Sequence, residues 1–122
     1  MAMKIVESVP TQKYFFSRKQ LPLKDDVAGA RQWAVFLDRV MLTYFEIEPG
    51  CRFERHAHDS EQITLVLEGE LIFRFDGGDV WAGAGEVVAV PSGIPHAVDT
   101  GQTGAKAVDA WSPPAAKYKE TS

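Results

Sequence analysis

The chain has 122 residues, a length at which single domains are commonest and at which one hydrophobic core suffices without disulfide support. Hydrophobic residues make up 45% and charged residues 25%, a globular balance that excludes a disordered or fibrous chain. Thirteen Lys+Arg against seventeen Asp+Glu give a net charge of -4, which leaves no concentrated positive face for tracking nucleic-acid phosphates.

Thr64 and Arg74 interrupt the most apolar stretches, so no run approaches the ~20 residues that span a bilayer. Met1 to Gln20 is studded with Lys4, Glu7, Lys13, Arg18 and Lys19 and lacks the apolar core of a secretory signal. The single cysteine, Cys51, forms no intrachain disulfide and reads as a small buried hydrophobe. The expectation is one cytoplasmic domain over residues 1–122, with neither nucleic acid nor membrane as partner.

In chain order, Tyr14–Phe16 and Gln32–Leu37 read as strands, and Asp25–Ala28 opens a short helical turn that Gly29 weakens. Further apolar, β-branched and aromatic runs follow at Val40–Ile47, Gln62–Leu67, Leu71–Phe75, Asp79–Ala82, Glu86–Val90, His96–Asp99 and Ala105–Trp111. Gly and Pro punctuate them, and Phe75-Asp76-Gly77-Gly78-Asp79 is the strongest hairpin signal because glycine takes the positive φ of a tight turn. Pro113-Pro114 ends the last strand, and Lys117–Ser122 reads as a frayed tail. After Gly50 no segment keeps a helical apolar period, so the predicted class is all-β, a sandwich or barrel. It divides into N-terminal strands (1–49), a core (50–100), and a last strand with tail (105–122).

Only three histidines are present. His56 and His58 stand at i and i+2, which on a strand puts both imidazoles on one face, about 7 Å apart. Two rings from one face can converge on one cation, and neutral imidazole suits first-row transition metals. Glu61 and Gln62 follow, and His96 sits just past the Gly93-Ile94-Pro95 turn.

This spacing carries a resemblance. Gly50, five residues, His56-Ala57-His58, three residues, Gln62, six residues, Gly69 resembles the first motif of the cupin superfamily. Gly85, five residues, Pro91-Ser92-Gly93, two residues, His96 resembles its second motif. The resemblance implies an antiparallel double-stranded β-helix, or jelly-roll barrel, with one divalent transition metal inside: manganese, iron, nickel or zinc. It implies ligands His56, His58 and His96. Gln62 stands where the family carries a carboxylate and is taken as the fourth ligand. Glu61, one residue earlier, turns to the opposite face if Gln62 points in. Thr100, where the second motif usually ends in Asn, is taken as structural.

The stretch His58 to Glu70 is similar to small pectin-degradation cupins that open unsaturated monouronates. That likeness assigns Asp109 and Trp111 to the site as catalytic residues, and period two places Ala107, Asp109 and Trp111 on one strand face. The family's arginine beyond the proline falls on Ala115. Trp81 and Phe73 read as packing, and Arg52 and Arg55 as groups that meet an anionic substrate or serve solubility.

The leading functional expectation is an isomerase or lyase acting on a small anionic sugar acid or keto acid. The metal serves as Lewis acid and Asp109 moves the proton. The alternatives are an iron-dependent dioxygenase and a non-catalytic metal- or ligand-binding barrel. Ile63, Leu65 and Leu67 make the outer face of their strand apolar, which together with the resemblance predicts a homodimer.

Overall fold

The structure is a computed structural model and describes residues 14–119. Eight strands follow a short 3-10 turn at Arg18–Gln20: β1 (Lys24–Asp25), β2 (Ala30–Phe36), β3 (Met41–Ile47), β4 (Arg52–His56), β5 (Glu61–Phe75), β6 (Gly78–Gly83), β7 (Val87–Val90) and β8 (His96–Ser112). One helical turn, α1 (Ala116–Lys119), closes the described chain. All pairings are antiparallel, in the order β1-β2-β3-β8-β5-β6, with β4 also on β8 and β7 also on β5. The predicted all-β jelly roll is the observed architecture. Among the described residues no helix is long and apolar enough to cross a membrane.

Two long strands hold the barrel together. The first half of β5 and the second half of β8 join β1, β2, β3 and β7 in one layer. Their other halves join β4 and β6 in the second. The sequence predicts four separate strands here, because Gly69 and the Gly101–Gly104 stretch read as interruptions. In the structure they are bends within continuous strands, marked by register shifts at Val66/Glu68 and Gly69/Leu71. Gly69 has φ +73°, and a Cβ there would run into the Gly104 carbonyl, while a Cβ on Gly104 would meet the Ile47 carbonyl. Glycine at both positions lets three backbones approach where the sheet folds over.

The space between the layers is filled by Met41, Phe45, Val66, Leu71, Phe73, Val90 and Trp111, all nearly inaccessible to solvent. Burying side chains of this size stabilises the fold by about 1.5–3 kcal/mol each. Asp76-Gly77 forms the two-residue turn of the β5–β6 hairpin, as predicted.

Several expectations are corrected. Tyr14–Phe16 is irregular, since its three exposed aromatics have no strand partner to supply a ladder. Asp25 belongs to β1, and Asp26–Gly29 form a turn rather than a helical start because Gly29 takes φ +90°. Trp81 is 59% exposed on the outside of β6 and so does not pack in the core, unlike Phe73. Lys117–Lys119 is not frayed: it belongs to α1, whose Tyr118 is buried against Phe45 and Trp111. Residues 1–13 of the expected N-terminal region and residues 120–122 of the tail lie outside the described residues.

Candidate metal centre

His56 is the last residue of β4 and pairs directly across the ladder with His96, the first residue of β8. His58 lies in the loop after β4, not on the strand, so the i, i+2 strand argument fails for it. The chain reverses toward β5 there, and the loop rather than the pleat brings the third ring in. The ligating nitrogens of His56, His58 and His96 all lie within 4.8 Å of one another, on a gradient from exposed to buried.

The tautomers follow from the backbone. Nδ1 of His56 is 2.7 Å from the Glu54 carbonyl. Nδ1 of His58 is 2.8 Å from the Ser60 carbonyl, and Nδ1 of His96 is 2.8 Å from that of Ile94. A carbonyl oxygen only accepts, so each Nδ1 carries the hydrogen and donates it, and each neutral ring keeps its lone pair on Nε2. Such a bond on the far nitrogen also orients an imidazole for ligation. Burial holds the pKa of His96 below the usual imidazole value, and charge on His56 and His58 adds to that.

Gln62 is buried on the inward face of β5, and Glu61 is exposed on the other face. Its amide nitrogen donates to Thr64 Oγ1 at 3.0 Å, and its Oε1 lies 3.0 Å from His58 Nε2. Both atoms of that last contact present lone pairs, so a proton must join them or a cation must be shared by them. Three Nε2 donors and an amide oxygen are borderline ligands suited to a divalent first-row transition ion, and the residues present fit one.

Behind this centre the strands align a polar rank. Asp109 on β8 has Thr43 of β3 on one side and Thr64 of β5 on the other, both in direct register. Thr64 donates to Asp109 Oδ1 and Thr43 reaches Oδ2 at 3.5 Å, while Trp111 Nε1 donates to Thr43 Oγ1 at 2.9 Å. A Thr64 hydroxyl that donates to the carboxylate has its lone pair free for the Gln62 amide N–H. That fixes Gln62 with its oxygen toward the histidines. Burial raises the Asp109 pKa to about 6, against the opposing hydrogen bonds from Thr64, Gln62 and Thr43. Asp109, His56, His96, Gln62 and Trp111 line one small cavity of about 40 Å³.

Arg52 and Arg55 do not reach the centre. Arg52 is paired with Glu54 and Asp99, and Arg55 with Asp76, so both guanidinium groups are already engaged by neighbouring carboxylates. Cys51 is buried and donates to the Ala28 carbonyl, and burial raises its thiol pKa, which leaves it unreactive. Thr100 caps the loop structurally, donating to Glu48 O and accepting from Cys51 N.

The family model for the cupin domain matches residues 43–111, more than half of the chain. The chain belongs to the cupin family. Among solved structures, an RmlC-like cupin from Shewanella frigidimarina is 25% identical, with a TM-score of 0.79 over 86% of this chain and 95% of that one. KdgF from Halomonas sp. is 18% identical, with a TM-score of 0.77 over 84% of this chain and 97% of that one. The polyketide cyclase RemF from Streptomyces resistomycificus is 22% identical, with a TM-score of 0.72 over 82% and 79%. The transcriptional regulator PuuR of Escherichia coli is 36% identical over 69 residues, 55% of this chain. The cupin chain spans only 37% of that relative's length.

Sequence reasoning misses Thr43 and Tyr118, and it puts Thr64 on the site-facing side of its strand without giving it a role. Thr43 and Thr64 carry a signal only once register is known, since their role is to flank Asp109 across two ladders.

Proposed function

We propose that this cupin holds one divalent transition-metal ion, manganese, iron, nickel or zinc, at His56, His58 and His96, with Gln62 as fourth ligand. We further propose that it acts as an isomerase or lyase on a small anionic organic substrate, a sugar acid or a keto acid, and works as a homodimer. The convergence of three Nε2 lone pairs, each oriented by a backbone carbonyl, carries the reading. A divalent ion at this centre supplies Lewis-acid polarisation of a substrate carbonyl or hydroxyl. Asp109 faces the same cavity and holds or moves a proton at its carboxylate. Trp111, 5% exposed and 5.2 Å from the His58 ring, keeps water from that side. Together these residues suit proton transfer next to a carbonyl, the step shared by ring opening and tautomerisation.

The test is hydrogen exchange. The metal-loaded protein is incubated with pyruvate in deuterium oxide, and the methyl resonance is followed by NMR. Catalysed exchange that is lost in Asp109→Asn, with metal content retained, supports the reading. Exchange indifferent to Asp109 contradicts it.

A second reading is favoured by the match to PuuR, a transcriptional regulator: a barrel that binds a small ligand without turning it over. It predicts ligand affinity unchanged in Asp109→Asn and no exchange with the wild type.

A further inference from the structure

The cavity of about 40 Å³ beside Asp109 is small against the about 150 Å³ of a cavity that holds benzene. Phe53, His56, Trp111 and Tyr118 border this space and also line an adjoining groove of about 660 Å³. That volume lies within the roughly 300–1,000 Å³ of small-molecule sites. The groove runs between the His56–Ser60 segment and Pro113–Tyr118, so His56 and His58 stand at its edge.

The wall away from the histidines is apolar: Phe53, Pro113, Pro114 and Ala115. The polar side chains around it are largely spent on one another. Arg55 is held by Asp76, Lys117 by Asp26 at 2.7 Å, Glu54 by Arg52, and Ser60 donates to the Pro113 carbonyl at 2.6 Å. A polyhydroxylated sugar ring would lose its hydration there and gain few hydrogen bonds in return. An apolar ring would lose nothing.

We infer that the ligand is a keto acid with an apolar, ring-bearing body. Its oxygen-bearing end lies at the three histidines and its body in the groove over Phe53 and the two prolines. This rests on the metal-centre reading above and decides between the two substrate classes proposed there.

The test is calorimetric titration of the zinc-loaded protein with phenylpyruvate, pyruvate and galacturonate. The expected result is phenylpyruvate binding at least tenfold more tightly than either of the others, on the order of what burying one ring face contributes. Pro114→Gln and Ala115→Gln, which put an uncharged polar amide on the half-buried wall, are each expected to weaken phenylpyruvate about tenfold. Pyruvate affinity and zinc stoichiometry should stay unchanged in both. Two variants are used so that misfolding of one, seen as a lost thermal transition, leaves the other to decide. Galacturonate binding as tightly as phenylpyruvate, or phenylpyruvate indifferent to the folded variants, overturns the inference. A protein that takes up neither zinc nor manganese, iron or nickel refutes the metal centre alone. The groove is then decided on the metal-free protein with 3-phenylpropanoate: binding that the same variants abolish supports it, and no binding overturns it.

Discussion

The amide oxygen of Gln62 lies 3.0 Å from the ring Nε2 of His58, two lone-pair atoms facing each other inside the barrel. What holds the amide in that orientation is Thr64, whose hydroxyl takes the Gln62 N–H and passes its own hydrogen to Asp109. The centre therefore depends on a residue that never touches it.

Removing that support should be measurable. Thr64→Val keeps the shape of the side chain and deletes the hydroxyl, leaving Gln62 free to turn its nitrogen toward His58. Metal affinity, measured by competition with a chromophoric chelator, is expected to fall 10–100-fold, the usual cost of losing an orienting partner. An unchanged affinity would mean that Gln62 contributes nothing to the ligand set.

The histidines and both motifs were legible in the sequence because turns and spacing are local. Gln62 and Glu61 were assigned to opposite faces by strand alternation alone, and the structure places them so. The sequence places His58 on the strand that in the structure ends at His56, since nothing local distinguishes a loop that folds back from a strand that runs on. Gly69 and Gly104 read as strand ends in the sequence and are bends in the structure, because a glycine that permits close backbone approach and one that ends a strand look alike. Tyr118 reads as tail in the sequence because its packing against Phe45 and Trp111 joins residues distant in the chain.

The buried carboxylate makes stability depend on pH. In the metal-free protein the Asp109 pKa is raised from 3.8 to about 6, so the folded state holds the proton more tightly than the unfolded one. That contribution is fully present below pH 3.8 and is lost as pH rises through about 6. The loss amounts to roughly 2–3 kcal/mol. In urea denaturation, Asp109→Asn should therefore gain on the wild type by about that much between pH 4 and pH 7. A difference between the two proteins that does not change with pH would contradict the shift.

Tyr118 plugs the barrel from a helix of four residues. It packs edge-on against Phe45 at 5.5 Å and lies 5.6 Å from Trp111, and the cavity left by Tyr118→Ala cannot be refilled by the rigid strands around it. The expected cost is about 3 kcal/mol in chemical denaturation, in the range for large-to-small aromatic changes. A loss below about 1 kcal/mol would show that α1 only rests on the surface.

The outer face of the first layer is apolar across five strands. In register run Val35, Leu42, Ala110, Ile63 and Ala89, and beside them Trp33, Tyr44, Val108, Leu65 and Val87. At about 4.8 Å per strand this is a patch roughly 24 Å wide, wider than soluble monomers usually leave uncovered. Light scattering at micromolar concentration is expected to give a dimer, and Ile63→Lys with Val87→Lys a folded monomer. A wild-type monomer would contradict the homodimer.

The central claim is the metal centre, and elemental analysis of the purified protein tests it most directly. Near-stoichiometric manganese, iron, nickel or zinc, lost in the His56→Ala/His58→Ala variant, is the predicted result. No metal in the wild type, even after incubation with salts of all four, would contradict it.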